Sequence, residues 1–143
     1  MKLVLLLSFL SMARADSLKD MIAFGANLSG GTSTWVATAM ALKADTYSYT
    51  VCDWQAGQSV VTTGVYQRVG TADGLSWGML AAVGAAQSAS STKVAYTGGI
   101  LFTYDLSKVI KKATNVYILG GVRPIKGTTG TKMKYEIGIG RGF

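Results

Sequence analysis

The sequence contains no histidine, one cysteine and one proline in 143 residues. Without histidine there is no Ser-His-Asp or Cys-His arrangement and no imidazole metal site. A lone cysteine, Cys52, supplies neither an internal disulfide nor a thiolate cluster. It is expected to be a small, buried, apolar thiol. Charge is also scarce, at 15% of residues against a usual value of about 25%. The few acidic residues are too scattered to suggest a catalytic carboxylate pair. Beyond residue 15 no apolar run is long enough to cross a membrane as a helix. These absences exclude most hydrolytic and metal chemistry. The chain is expected not to be an enzyme and to hold no cofactor or metal.

Apolar residues, by contrast, are abundant. They make up 49% of the chain, and mean hydropathy is +0.31. Part of this belongs to the N-terminus. Lys2, the apolar stretch 3–10 and the Ala13-Arg14-Ala15 site before Asp16 read as a secretory signal peptide. The apolar stretch is about half the ~20 residues a spanning helix needs. The expected division is a leader at 1–15 and one domain at 16–143. The formal charge of +7 then falls to about +5 as Lys2 and Arg14 are lost. The remaining basic residues form no stripe, so nucleic acid is not an expected partner. Lys108, Lys111 and Lys112 form one cluster. It reads as a solvated turn, with anionic lipid head groups as the second reading.

Eight segments rich in β-branched, aromatic or small residues follow, at 21–28, 34–43, 47–55, 59–69, 75–86, 93–105, 115–125 and 131–143. Clusters of Gly, Ser, Thr, Asn and Asp separate them. At 8 to 13 residues each, they bracket the roughly 9–11 residues that a tilted membrane strand requires. The stretch 105–114 breaks the pattern. Leu106, Val109 and Ile110 have helical spacing there, so a longer turn with one or two helical turns is expected.

Alternation decides which way the strands face, because successive side chains point to opposite sides of a sheet. In 93–105, Val94, Tyr96, Ile100, Phe102 and Tyr104 oppose Ala95, Thr97, Gly99, Leu101 and Thr103. In 131–143, Met133, Tyr135, Ile137, Ile139 and Phe143 oppose Lys132, Lys134, Glu136, Gly138, Gly140 and Gly142. The segments 21–28 and 75–86 divide in the same way, whereas 34–43 and 115–125 alternate weakly. In a water-soluble barrel the face opposite the bulky one would carry many Lys and Glu. Here it carries mostly Gly, Ala, Ser and Thr, with few charges, and small residues suit the crowded interior of a narrow barrel. Bulky apolar residues outward and small or polar residues inward is the membrane-barrel pattern.

The aromatic residues sit mostly near segment ends. With both termini in the periplasm, Tyr47, Trp77, Tyr104 and Tyr117 fall near the periplasmic interface, and Trp35, Trp54 and Tyr96 near the outer one. Amphipathic Trp and Tyr rings favour such interfaces, so these seven are expected to form aromatic girdles. Phe24, Tyr66 and Phe102 lie nearer strand centres.

The C-terminal segment 135–143 resembles the closing strand of small eight-stranded bacterial outer-membrane β-barrels. In that family the chain commonly ends in Phe, with apolar or aromatic residues at every second position before it. Tyr135, Ile137, Ile139 and Phe143 match this pattern, while Arg141 departs from it. A terminal Arg can reach the interface by snorkelling. The resemblance implies an all-β, antiparallel, up-and-down transmembrane barrel in the outer membrane. It also implies membrane lipid as a partner, and recognition of these four residues by the barrel-insertion machinery.

Among inward-facing polar residues, Arg68, Arg123, Lys134 and Glu136 are expected to form a luminal ion-pair network, because buried charges must be paired. Such a network would fill and stabilise the barrel. The alternating glycines at 138, 140 and 142 open no helix and do not read as a phosphate cradle. Short outer connections argue against an elaborate adhesin surface. The expected role is structural, within the envelope. Two alternatives stand beside it: an exported, soluble, lipocalin-like barrel binding a small apolar ligand, and a narrow pore for small solutes.

Overall fold

The computed structural model describes residues 20–28, 33–55, 57–127 and 130–143. The expected leader lies outside these residues. Eight strands follow in chain order: β1 Met21–Asn27, β2 Thr34–Lys43, β3 Thr46–Gln55, β4 Gln58–Ala72, β5 Leu75–Ser88, β6 Thr92–Asp105, β7 Val116–Gly127 and β8 Gly130–Gly142. Each strand pairs with its sequence neighbours, and β1 also pairs antiparallel with β8, so the sheet closes. Closure leaves no unpaired strand edge.

Tight connections make this up-and-down path possible. Asp73 and Gly74 join β4 to β5 with φ of 46° and 89°. Positive φ at both central residues is the hairpin turn that follows the natural strand twist, and Asp-Gly is among its preferred sequences. Asp45 takes φ 64° in the β2–β3 turn. The longest described connection, between β6 and β7, holds one 3-10 turn at Leu106–Lys108. Asp105 caps it, its carboxylate accepting from the Ser107 amide at 2.9 Å and the Ser107 hydroxyl at 2.6 Å. Lys108, Lys111 and Lys112 on this connection are all exposed.

Strand β4 runs past the boundary expected from sequence because a bulge between Arg68 and Gly70 absorbs an irregularity. The extra residue leaves Val69 exposed, and the Trp77 ring lies against Gly70, where a Cβ would collide with it. Pro124 sits within β7, where it lacks an amide donor. The β6–β7 ladder is interrupted beside it, with no pairing between Thr97↔Ile125 and Ile100↔Val122. The Thr97 hydroxyl instead donates to the Pro124 carbonyl at 3.2 Å.

The two faces differ as alternation requires. Ile100, Phe102, Ile137 and Ile139 are 49%, 42%, 47% and 40% exposed on the outside. Phe24, Met79, Val83, Val94 and Met133 join them in the exposed belt. Cys52 is buried, in register between Val36 and Val61. Among the described residues the interior has two apolar clusters. One is built around Trp35, Tyr49, Val51, Leu101 and Leu119, the other around Val60, Ala86, Ala95 and Ile125. Glycines give the large rings room: a Cβ on Gly138 would stand 2.5 Å from the Trp35 ring.

Candidate functional site

The centre of the lumen is crossed by charge. Arg123 on β7 donates through Nε to Glu136 Oε1 at 2.7 Å and through Nη2 to Glu136 Oε2 at 2.8 Å. The same Nη2 donates to Asp53 Oδ1 at 2.8 Å. Strands β3 and β7 stand four places apart in either direction round the barrel, so this contact spans the lumen. Lys134 Nζ lies 3.9 Å from Asp53 Oδ1 and 3.4 Å from the Ser33 hydroxyl.

The register explains why two carboxylates are needed. Arg123 is the cross-strand partner of Lys134, and like charges placed opposite one another repel. Glu136 holds Arg123 from one side, and Asp53 reaches both Arg123 and Lys134. Two cations and two anions leave the group formally neutral. All four side chains are buried, where an unpaired charge would be costly.

The network brings together three of the four residues expected from sequence and adds Asp53. Arg68 is not part of it. It faces inward but sits toward the end of the barrel that carries the termini, where its Nε donates to Asp45 Oδ1 at 2.7 Å. Distance along the strand separates the two sites: Arg68 pairs with a turn residue, while Arg123 lies deep in the lumen. Asp53 lies on a strand whose alternation in sequence does not declare which face is inward. Its parity with Tyr49 and Val51, and the cost of an isolated carboxylate in an apolar strand, are the signals that point to it.

The expected aromatic girdles need a second correction. Trp54, Trp77, Tyr96 and Tyr104 lie on the outward face near strand ends. Trp35, Tyr47 and Tyr117 do not: Trp35 is buried in the lumen, and Tyr47 and Tyr117 line a cavity inside the barrel. Position near a strand end places a ring at the right height, but only parity decides whether it points out. Tyr135, Ile137 and Phe143 are outward and exposed on or beside β8, as is Ile139.

The lumen is also not uniformly filled. A cavity of about 290 Å³ occupies its terminal end, lined by Tyr47, Tyr49, Tyr66 and Tyr117 with Arg68, Leu101 and Leu119. The charged network and the Val60–Ile125 cluster occupy the lumen beyond it.

No family model matches the sequence, and no curated protein matches it. Among solved structures, the outer membrane protein Ail of Yersinia pestis, determined in a phospholipid bilayer nanodisc, is similar with a TM-score of 0.58. Identity is 14%, over 87% of this chain and 99% of Ail. A de novo designed transmembrane β-barrel gives a TM-score of 0.60 and 12% identity, over 90% of this chain and 98% of the design. The fold is that of a small transmembrane β-barrel. Such a barrel places its apolar surface outside and its polar contacts inside, which is the distribution found around Arg123 and Ile137.

Proposed function

We propose that this barrel is exported to a bacterial outer membrane, spans it with both termini in the periplasm, and serves a structural role in the envelope without catalysis. The observation that carries this reading is the exposed belt that includes Ile100, Phe102, Ile137 and Ile139. In water such a belt would forfeit roughly 25 cal/mol for every Å² of apolar surface left wet. In hydrocarbon it costs nothing. Closed barrels also satisfy every backbone group within the sheet, as a bilayer core demands.

The belt disfavours the soluble lipocalin-like alternative, whose outer face would be polar. The Asp53–Arg123–Glu136 crossing disfavours a constitutive pore. The row Tyr135, Ile137, Ile139 and Phe143 is accessible on the outside of the closing strand, which supports its use as the segment read by the insertion machinery.

Fractionation combined with gel mobility tests the reading. The folded protein should leave the cell envelope only with detergent, and unboiled samples should migrate differently from boiled ones. Recovery in the soluble periplasmic fraction without detergent would refute the membrane assignment.

A further inference from the structure

The cavity at the terminal end of the lumen has features of a ligand site that the structural role does not use. Its volume of about 290 Å³ is near the lower end of ligand pockets, which begin at roughly 300 Å³. Two rings in its wall, Tyr47 and Tyr66, stand 5.9 Å apart and tilted by 45°. The Tyr66 ring passes close to Gly78, where a Cβ would come within 2.7 Å of it. Leu101 and Leu119 add apolar surface.

Of the buried polar atoms that lack a partner among the described residues, one belongs to the cavity wall. Tyr66 is 8% exposed, and its hydroxyl has no hydrogen-bond partner among the described residues. A buried hydroxyl without a partner is unfavourable, so a molecule that enters and bonds to it gains more than surface burial. Charge gives no preference in either direction. Arg68 at the cavity is neutralised by Asp45 at hydrogen-bond distance. The deeper group of Arg123, Lys134, Asp53 and Glu136 is formally neutral as well. An ion would lose hydration there without a net opposite charge to replace it.

We propose that this cavity binds a small, uncharged, ring-containing molecule with one hydrogen-bonding group, such as a phenol, with the ring among the tyrosines and leucines and the polar group on the Tyr66 hydroxyl. This rests on the lumen's geometry and holds whether or not the barrel's physiological role is structural.

The test uses the mature barrel folded in lipid nanodiscs, with methyl NMR signals of Leu101 and Leu119 followed during titration with p-cresol. Saturable shifts are expected. Toluene, which lacks the hydroxyl, should bind about 5- to 10-fold more weakly, the effect of one hydrogen bond. Tyr66→Phe should remove that difference while p-cresol still saturates. Leu101→Trp fills the cavity and Ser76→Phe obstructs it from another strand, so either, when folded, should abolish the shifts. The anion 4-hydroxybenzoate and the cation tyramine should bind more weakly than p-cresol. Shifts that rise linearly without saturation, equal binding of toluene, or tighter binding of either ion would overturn the proposal.

Discussion

Arg123 and Asp53 meet across the full width of the barrel, Nη2 to Oδ1 at 2.8 Å, although 70 positions separate them in sequence. The contact links opposite walls of a sheet whose backbone ladders run only between neighbouring strands. It therefore ties the two walls together through the lumen. Glu136 completes the arrangement by taking the other edge of the same guanidinium.

Arg123→Met should destabilise the folded barrel by about 3–5 kcal/mol, because it leaves Asp53 and Glu136 buried with only Lys134 between them. Arg123→Met combined with Glu136→Gln should recover most of the loss, since Asp53 and Lys134 then balance. Urea unfolding in lipid vesicles measures both. A single variant as stable as the parent would show that the crossing contact does not brace the barrel.

The Arg68–Asp45 pair should behave differently. Its side chains are 29% and 51% exposed, and exposed pairs contribute about 0–1 kcal/mol. Asn tolerates the positive φ that Asp45 adopts. Asp45→Asn should therefore shift unfolding by less than about 1 kcal/mol, with the effect shrinking further in high salt. A loss comparable to that of Arg123→Met would place Arg68 energetically with the central network.

Packing inside the barrel should be as sensitive as in a soluble core. Gly138→Ala places a methyl 2.5 Å from the Trp35 ring and 2.6 Å from the Phe24 carbonyl oxygen. Overpacking of this kind costs about 1–3 kcal/mol. Near-ultraviolet circular dichroism should report the displaced indole along with the lower stability. An unchanged spectrum and midpoint would mean that Trp35 does not fill the space beside Gly138.

On the outer face, Ile137→Lys should cost about 2–4 kcal/mol in a bilayer, the depth-dependent cost of a charge near the centre of the hydrocarbon. Equilibrium unfolding of the barrel from vesicles gives the value. A change within a few tenths of a kcal/mol would place this position outside the hydrocarbon.

The parts of the fold legible from sequence are those with a strict period of two. In β6 and β8 the contrast between Ile100 or Ile137 and their glycine neighbours assigns both faces, and the turns are punctuated by Asp73-Gly74 and similar pairs. Boundaries shift where local irregularities lengthen a strand, as at the Arg68–Gly70 bulge, which has no clear sequence mark. The lumen was less legible. Glu136, Lys134 and Arg123 are readable as charges that need partners, but a single sequence does not state which opposite wall supplies the carboxylate. Asp53 does so because β3 lies diametrically across from β7, a fact of closure. Trp35, Tyr47 and Tyr117 show the converse: each ring has the height of a girdle yet points inward, Trp35 into space left by Gly25 and Gly138 and the two tyrosines onto the cavity.

The contact between the outer face and lipid is tested most directly by nuclear Overhauser effects to acyl-chain methylenes. With the barrel in phospholipid nanodiscs, the methyl groups of Ile100, Ile137 and Ile139 should show strong cross-peaks to the chains and none to water. Cross-peaks to water with none to the chains would contradict the account.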